Sequence, residues 1–291
     1  MEGQKKYFEP LTTTYFEWNE EYENNAKEQL AIDSSVQDEK LYDKLESNAK
    51  RNWDIFYKNN KTNFFKDRHY IDKEFPIEEL MDKKIKSMKS INPEFDESSH
   101  RFIFHEVGCA VGNTIFPISK KYCKRLKVFG YDFSPRAIQM IKDNSEYDTQ
   151  NIEVAVVDLV NDPVPENFPN ADFVTCIFIL CAISPENHFD CLKKLYNSMK
   201  DNSYLYFRDY GRYDQAQLKL AKKNNSKLKE NFYRKEDGTR CFYFDIVELK
   251  DLAEKVGFEV IDNDVKYRVI ENRKENVKMR RVWVQSLFYK K

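Results

Sequence analysis

Glycine is scarce in this chain, with seven among 291 residues, so each glycine in a turn is informative. The scarcity excludes collagen-like and glycine-rich disordered chains. The six cysteines, Cys109, Cys123, Cys176, Cys181, Cys191 and Cys241, form no C-x-x-C pair. That argues against a zinc ribbon or a disulfide framework and for reduced, buried thiols. No apolar run approaches the roughly 20 residues that a membrane helix needs. Met1 to Pro10 lacks an apolar signal core and carries glutamates, which speaks for a cytoplasmic protein without a leader. No internal repeat is visible, and the net charge is only −1, so overall charge does not mark a polyanion binder.

What is present is a core-forming composition, 41% hydrophobic and 15% aromatic, too apolar for a disordered chain. Charge is unevenly spread. Residues 1–50 carry six lysines against twelve acids, whereas 203–240 hold ten Lys and Arg against five acids and 264–291 nine against three. Two basic segments on a neutral chain can present a cationic face to a polyanion; solvated helix surfaces explain them equally well.

Residues 17–32 and 36–60 read as polar helices, with Leu41, Leu45, Trp53 and Phe56 on one face of the second. Residues 59–69 break the pattern, and a short helix over 76–90 ends at Asn92-Pro93. Residues 1–98 are thus expected to form a helical N-terminal extension. From residue 99 onward, strands at 102–107, 126–131, 152–157, 172–180 and 203–208 alternate with helices near 113, from Pro135 and over 187–199. Repeated βα units predict an α/β domain with a doubly wound, mostly parallel sheet over 99–291. A β-hairpin around Asp237-Gly238 is inserted near 230–244. A helix over 246–256 stops at Gly257, and strands at 258–269 and 281–289 give a seven-stranded sheet with a terminal antiparallel hairpin.

The first strand ends in Gly108-x-x-x-Gly112 and runs into a helix, which brings bare backbone to a ligand at a helix N-terminus. Ala110 stands where a third glycine is common, and its methyl group is tolerated if the backbone there stays right-handed. On its own the turn is equally a tight strand-to-helix connection. Acids at the next two strand ends decide the reading. Asp132, 24 residues after Gly108, is placed to accept both hydroxyls of a ribose; its simpler role is a helix N-cap, which Ser134 already supplies. Asp158 ends the third strand, where it can accept an adenine amino group. Together they point to an adenosine cofactor. NAD fits poorly, because G-x-G-x-x-G is absent and no turn is shaped for a pyrophosphate. S-adenosylmethionine has no phosphate and tolerates the looser turn.

Several longer stretches are distinctive: Asn52-Trp53-Asp54-Ile55-Phe56-Tyr57, Asn63-Phe64-Phe65-Lys66-Asp67-Arg68-His69, Glu106-Val107-Gly108-Cys109, Asp132-Phe133-Ser134-Pro135-Arg136-Ala137-Ile138, Ala182-Ile183-Ser184-Pro185, Phe207-Arg208-Asp209-Tyr210-Gly211-Arg212-Tyr213-Asp214, Glu230-Asn231-Phe232-Tyr233 with Asp237-Gly238-Thr239-Arg240, and Arg281-Val282-Trp283-Val284-Gln285. In these, spread over roughly residues 50–288, the chain resembles the tRNA 3-methylcytidine methyltransferases, a methyltransferase-like family acting on cytidine 32 of the anticodon loop. The resemblance implies a Rossmann-like class I methyltransferase, S-adenosylmethionine as cofactor, tRNA as partner and no metal. It implies cofactor contacts from Trp53, Tyr57, Gly108, Asp132, Asp158 with Leu159, and the backbone near Ile177; Arg68 is assigned to the cofactor carboxylate, with RNA as the other candidate. Phe16-Glu17-Trp18-Asn19 and Glu271-Asn272-Arg273 look more like the branch acting on threonine tRNAs than the serine branch. An aminoacyl-tRNA synthetase is the kind of protein partner to expect.

Cytosine N3 has a lone pair and attacks a methyl carbon without first losing a proton, so the reaction needs positioning and stabilisation of a cationic product rather than a strong base. Asp209, at the end of the fifth strand, is the candidate catalytic carboxylate; its simpler role is an ion pair with Arg208 or Arg212. The target base must leave its stack, and Phe64, Phe65 and Tyr210 are candidate stacking surfaces. Lys66, Arg212, Arg234, Arg240, Arg273 and Arg280 are candidate phosphate contacts. The alternatives are a small-molecule or protein methyltransferase, and a catalytically silent RNA-binding adaptor on the same fold.

Overall fold

Strands that pair with neighbours on both edges and carry helices on both faces must be apolar almost throughout, and Phe102–Val107 and Ala171–Ile177 are buried over nearly their whole lengths. The computed structural model describes residues 18–32, 39–62, 66–272 and 277–291. Phe64, Phe65, Arg273 and the pair Phe16-Glu17 lie outside the described residues. The chain opens with α1 (Glu20–Ile32), α2 (Glu39–Ser47), α3 (Ala49–Asn60), α4 (Ile71–Glu74) and α5 (Ile77–Ile91). There follow β1 (Phe102–Val107), α6 (Ile115–Tyr122), β2 (Leu126–Asp132), α7 (Pro135–Lys142), β3 (Ile152–Val156), β4 (Ala171–Ile177), α8 (His188–Asn197) and β5 (Met199–Tyr210). Then come α9 (Gln215–Ala221), β6 (Lys227–Lys229), β7 (Phe232–Arg234), β8 (Arg240–Phe242), α10 (Ile246–Val256), β9 (Glu259–Asn272) and β10 (Val277–Lys290).

The main sheet has seven strands in the order β3-β2-β1-β4-β5-β10-β9. β1 to β5 are parallel, and β10 runs antiparallel to both of its neighbours. The expected sheet and its terminal hairpin are therefore present. The chain starts at β1, winds outward through β2 and β3, and returns to β4 on the other side of β1. That reversal opens a crevice at the carboxyl ends of β1 and β4, where open α/β sheets bind ligands. One face is covered by α5, α6 and α7 through Leu80, Met81, Ile115, Ile118, Ile138 and Ile141. The other is covered by α8 and α10 through Leu192, Leu195, Leu249 and Val256.

The sequence pattern does not announce α4 or α9, and three further elements differ from it. The single helix expected over 36–60 is broken at Asn48, where the side chains of Ser47 and Asn48 both donate to the Lys44 carbonyl, at 3.1 and 2.7 Å; short polar side chains of this kind compete with the helical ladder. The fourth strand stops at Ile177, because Phe178 turns to φ +59° and a short 3-10 turn follows over Leu180–Ala182. The expected hairpin is a three-stranded sheet, since β6 pairs with β7; Lys227-Leu228-Lys229 is too short to show a strand period. All six cysteines are free, and all but Cys123 are buried.

α4 ties the N-terminal helices to the sheet edge. Glu74 forms ion pairs with Arg208 of β5 and with Arg268 of β9, the latter at 3.1 Å, and Arg208 also donates to Gln285 of β10. All four side chains are buried. Removing one partner of a buried charge cluster leaves the others uncompensated and typically costs about 3–5 kcal/mol. Glu74→Ala is therefore expected to destabilise the fold by that order in urea unfolding. A loss below about 1 kcal/mol, the range of exposed pairs, would show that the cluster is not structural.

Candidate active site

At the β1/β4 crevice lies a cavity of about 690 Å³, within the usual range for a small-molecule site. Its floor is the turn after β1, where Gly108, Ala110 and Gly112 have φ of +60°, +51° and +95°. A Cβ at Gly108 would lie 2.0 Å from Ile179 Cδ1, so the backbone is bare there by necessity. Ala110 does not meet the right-handed condition on which its methyl group was expected to be tolerated. It sits in the left-handed region, at a cost of about 1–2 kcal/mol. The conformation is held because the Ala110 N–H donates to Asp132 Oδ2 at 3.1 Å and the Cys109 N–H donates to the Tyr131 carbonyl at 3.1 Å.

Asp132 also accepts the Ser134 N–H at 2.9 Å. It is not the helix cap: Ser134 is, its hydroxyl accepting the Ala137 N–H at 3.2 Å and donating to Asp54 of α3 at 2.9 Å. Burial pushes the Asp132 carboxyl up to about 6, with the two backbone N–H groups pulling the other way. This is a buried acid facing a cavity, a usual mark of a functional site. Asp158 accepts the Val160 N–H at 3.0 Å and the Asn161 amide at 2.9 Å. Trp53, Tyr57, Arg68, Gly108, Asp132, Asp158, Leu159 and Ile177 all line this one cavity. Burial raises the Tyr57 phenol well above its ordinary value, and Asp132 adds to the effect, so it stays a neutral wall. Arg68 donates to Glu106 at 3.2 Å and to Thr114 at 3.0 Å. Burial pushes Glu106 up to about 7 against the opposing pull of Arg68. A buried acceptor pair at Asp132, exposed backbone at Gly108 and a cation at Arg68 suit the ribose, the amino-acid chain and the carboxylate of S-adenosylmethionine.

The residues expected to act on the base and the RNA are more dispersed. Asp209 is fully buried and is not part of the cavity wall; its carboxylate accepts the N–H groups of Cys181 and Tyr210, each at 2.9 Å. Neither neighbouring arginine pairs with it, since Arg208 goes to Glu74 and Arg212 lies 3.8 Å from Asp245. Burial pushes Asp209 up to about 7. The Tyr210 ring lies 4.7 Å from that of Phe178, with the Arg281 guanidinium 4.9 Å over it. Arg240 is in the cavity wall rather than on the surface, and bonds to Glu46, to Ser184 at 2.9 Å and to the Ala182 carbonyl at 3.2 Å. Lys66 and Arg280 are exposed and Arg234 is half-buried.

Phe178, Ile179 and the α2 residues Asp43 and Glu46 also line the cavity. Sequence reasoning missed them: Phe178 and Ile179 read as more apolar strand, and α2 showed only an amphipathic pattern. Gly108→Ala, which clashes with Ile179, is expected to abolish S-adenosylhomocysteine binding in calorimetry. Ala110→Gly is expected to raise stability by about 1 kcal/mol with binding retained; a lower melting temperature in Ala110→Gly would contradict the left-handed turn.

A methyltransferase domain model matches residues 83–263. The human tRNA N(3)-cytidine methyltransferase METTL6 is 38% identical over 271 residues, spanning 92% of this chain and 89% of that protein. The tRNA N(3)-methylcytidine methyltransferase trm140 of Schizosaccharomyces pombe is 38% identical, spanning 97% and 88%. The tRNA(Thr) (cytosine(32)-N(3))-methyltransferase of Saccharomyces cerevisiae is 35% identical over 94% of this chain and 42% of its own length. The solved structure of an S-adenosylmethionine-dependent methyltransferase from Anabaena variabilis shares the fold, with a TM-score of 0.56 at 14% identity, covering 84% of this chain and 96% of that one. The chain belongs to the family of S-adenosylmethionine-dependent tRNA N(3)-cytidine methyltransferases.

Proposed function

We propose that this protein methylates N3 of cytidine 32 in the anticodon loop of tRNA, with threonine isoacceptors as its main substrates, and that it works in the cytoplasm. The observation that carries the reading is the convergence of Trp53, Tyr57, Arg68, Gly108, Asp132 and Asp158 on one cavity at the sheet's reversal point. The threonine assignment draws on the likeness of Trp18-Asn19 and its neighbours to that branch, and on the tRNA(Thr) substrate named for the yeast relative.

S-adenosylmethionine supplies an electrophilic methyl group on a sulfonium, and N3 supplies its own electron pair. The protein therefore has to hold, orient and exclude water. Asp132 takes the ribose hydroxyls, Asp158 the adenine amino group and Leu159 the adenine edge, while Trp53 and Tyr57 close the side toward α3. Arg68 takes the carboxylate. Asp209 serves as a positioning residue: by accepting the N–H groups of Cys181 and Tyr210, it holds the Leu180–Ala182 turn and the Tyr210 ring in register beside the cavity. Tyr210, together with Phe64 and Phe65, offers aromatic faces to the extruded base. Residues 1–98 contribute cofactor and RNA contacts, and 99–291, with the insert near 230–244, carries methyl transfer.

Incubation with tRNA and labelled cofactor, followed by mass spectrometry of the nucleosides, is expected to place label in 3-methylcytidine. Label in any other nucleoside refutes the product, and serine isoacceptors outperforming threonine ones refutes the branch. Asp209→Asn is expected to lower kcat by at least about tenfold, an order of effect usual for lost positioning, with S-adenosylhomocysteine affinity unchanged. Normal turnover in that variant removes Asp209 from the mechanism. The pH dependence has a definite sign. Ribose hydroxyls donate to the ionised carboxylate, whose titration lies at about 6, so cofactor binding strengthens as pH rises through that value and weakens below it. Asp132→Asn is expected to bind weakly with a flat pH profile, and an unaltered profile excludes Asp132 as the titrating group.

A further inference from the structure

Much of the positive charge that the sequence concentrates in two basic segments is neutralised in the fold. Lys223 pairs with Glu236, Lys227 with Glu230, Lys229 with Glu186, Lys266 with Asp264 and Arg281 with Asp214. A separate row of uncompensated charge lies along α3. Among the described residues, Lys50, Arg51 and Lys58 are exposed and have no carboxylate within ion-pair distance, and Lys61 follows directly at the end of the helix. At 3.6 residues per turn, Lys50, Arg51 and Lys58 fall within one sector of roughly 100°. Phe56 and Tyr57, in the adjoining sector, are buried. The one acid among these cations, Asp54, lies 3.3 Å from Arg136 of α7, which restores the charge it removes.

The ridge borders a groove of about 820 Å³ between α3 and α7, whose walls carry Lys50, Arg51 and Arg136 beside the acids Asp54 and Asp143, three cations against two carboxylates. Ser47 and Lys50 belong both to this groove and to the wall of the cofactor cavity, so the two lie side by side. From Lys50 to Lys61 the row extends about 16 Å at 1.5 Å per residue, long enough for several phosphates of a single strand. A row of unpaired cations that begins at the wall of a methyl-transfer cavity, at Lys50, suits a polyanion whose reacting unit must enter it.

We propose that the α3 ridge and the α3/α7 groove bind the phosphodiester backbone of the tRNA next to the extruded nucleotide, and that they contribute more to phosphate binding than the cations of the first basic segment. The proposal rests on the reading of tRNA as the substrate.

The test uses the full chain with Arg51→Glu and Lys58→Glu combined, beside Lys219→Glu and Lys222→Glu combined as a charge-matched control in the first basic segment. tRNA affinity is measured across a salt series, with S-adenosylhomocysteine calorimetry on the same samples. The α3 pair is expected to lose affinity for tRNA by about tenfold or more, with a log–log salt slope shallower by about 0.7–0.9 for each lost phosphate contact. Cofactor affinity stays at the wild-type value, and the control loses less. Unchanged tRNA affinity and slope in the α3 variant, a larger loss in the control, or a parallel loss of cofactor binding each overturns the ridge. Wild-type protein that shows no salt-dependent tRNA binding overturns instead the reading beneath it.

Discussion

The chain turns sharply between β1 and α6, and Gly108, Ala110 and Gly112 within that turn all lie at positive φ. L-residues resist that geometry, so the turn persists only because neighbours hold it. The Gly112 N–H closes on the Cys109 carbonyl at 2.9 Å, and Asp132 receives the Ala110 N–H from the next strand. The result is a turn whose glycine backbone is packed against directly by Ile179 and Phe116, at the one place where the sheet changes winding direction. Ile179 packs so close to Gly108 that no side chain larger than hydrogen fits there. The acids at the ends of β2 and β3 and the aromatic face of α3 are arranged around this opening.

Desolvation is the second constraint, and it acts in the same region. Glu106, Asp132 and Asp209 are all buried, and burial pushes all three carboxyls up. Each has donors that favour its ionised form: Arg68 for Glu106, two backbone N–H groups for Asp132, two more for Asp209. The donors keep these acids ionisable near neutral pH without lowering them to the range of a surface carboxylate. A ligand that donates further hydrogen bonds to Asp132 thus meets an acceptor that is desolvated before it arrives, the preorganised environment that binding sites exploit.

The N-terminal helices are built into this arrangement rather than appended to it. α5 fills the same layer as α6 and α7, and Glu74 of α4 sits between two buried arginines of the sheet edge. α2 packs Leu41, Tyr42 and Leu45 on Leu228 and Phe232 of the small sheet, and its Glu46 meets Arg240 over the cavity. Cations that looked like RNA contacts in the sequence, Arg240 above all, prove to join these pieces. Pairing within the fold reverses a charge count made along the chain: residues 1–98, acidic in sum, carry unpaired cations on α3.

Local chemistry made much of this protein readable. The apolar runs of β1 and β4, the Pro135 helix start with Ser134 as its cap, and the acids ending β2 and β3 depend on neighbours a few residues away, so spacing alone locates them. The Gly108–Gly112 turn was legible for the same reason, whereas Trp53 and Tyr57, which line the cavity, were pointed to by the family resemblance and not by spacing. What no local pattern contains is which distant groups meet. The left-handed state of Ala110 is decided by Asp132, the withdrawal of Asp209 from the cavity wall by the Cys181 N–H, and the break after Ile177 by packing of Phe178 against Tyr210 and Trp283. Short strands such as β6 and salt bridges such as Arg240 to Glu46 join residues far apart in the chain, and their energies depend on burial that only the assembled structure creates. The sequence by itself determined the alternation, the strand ends and the class of cofactor, because those follow from short-range periodicity and chemistry. Which charges remain free, and which face they leave open, was decided by the tertiary structure, because pairing and desolvation are properties of space rather than of order along the chain.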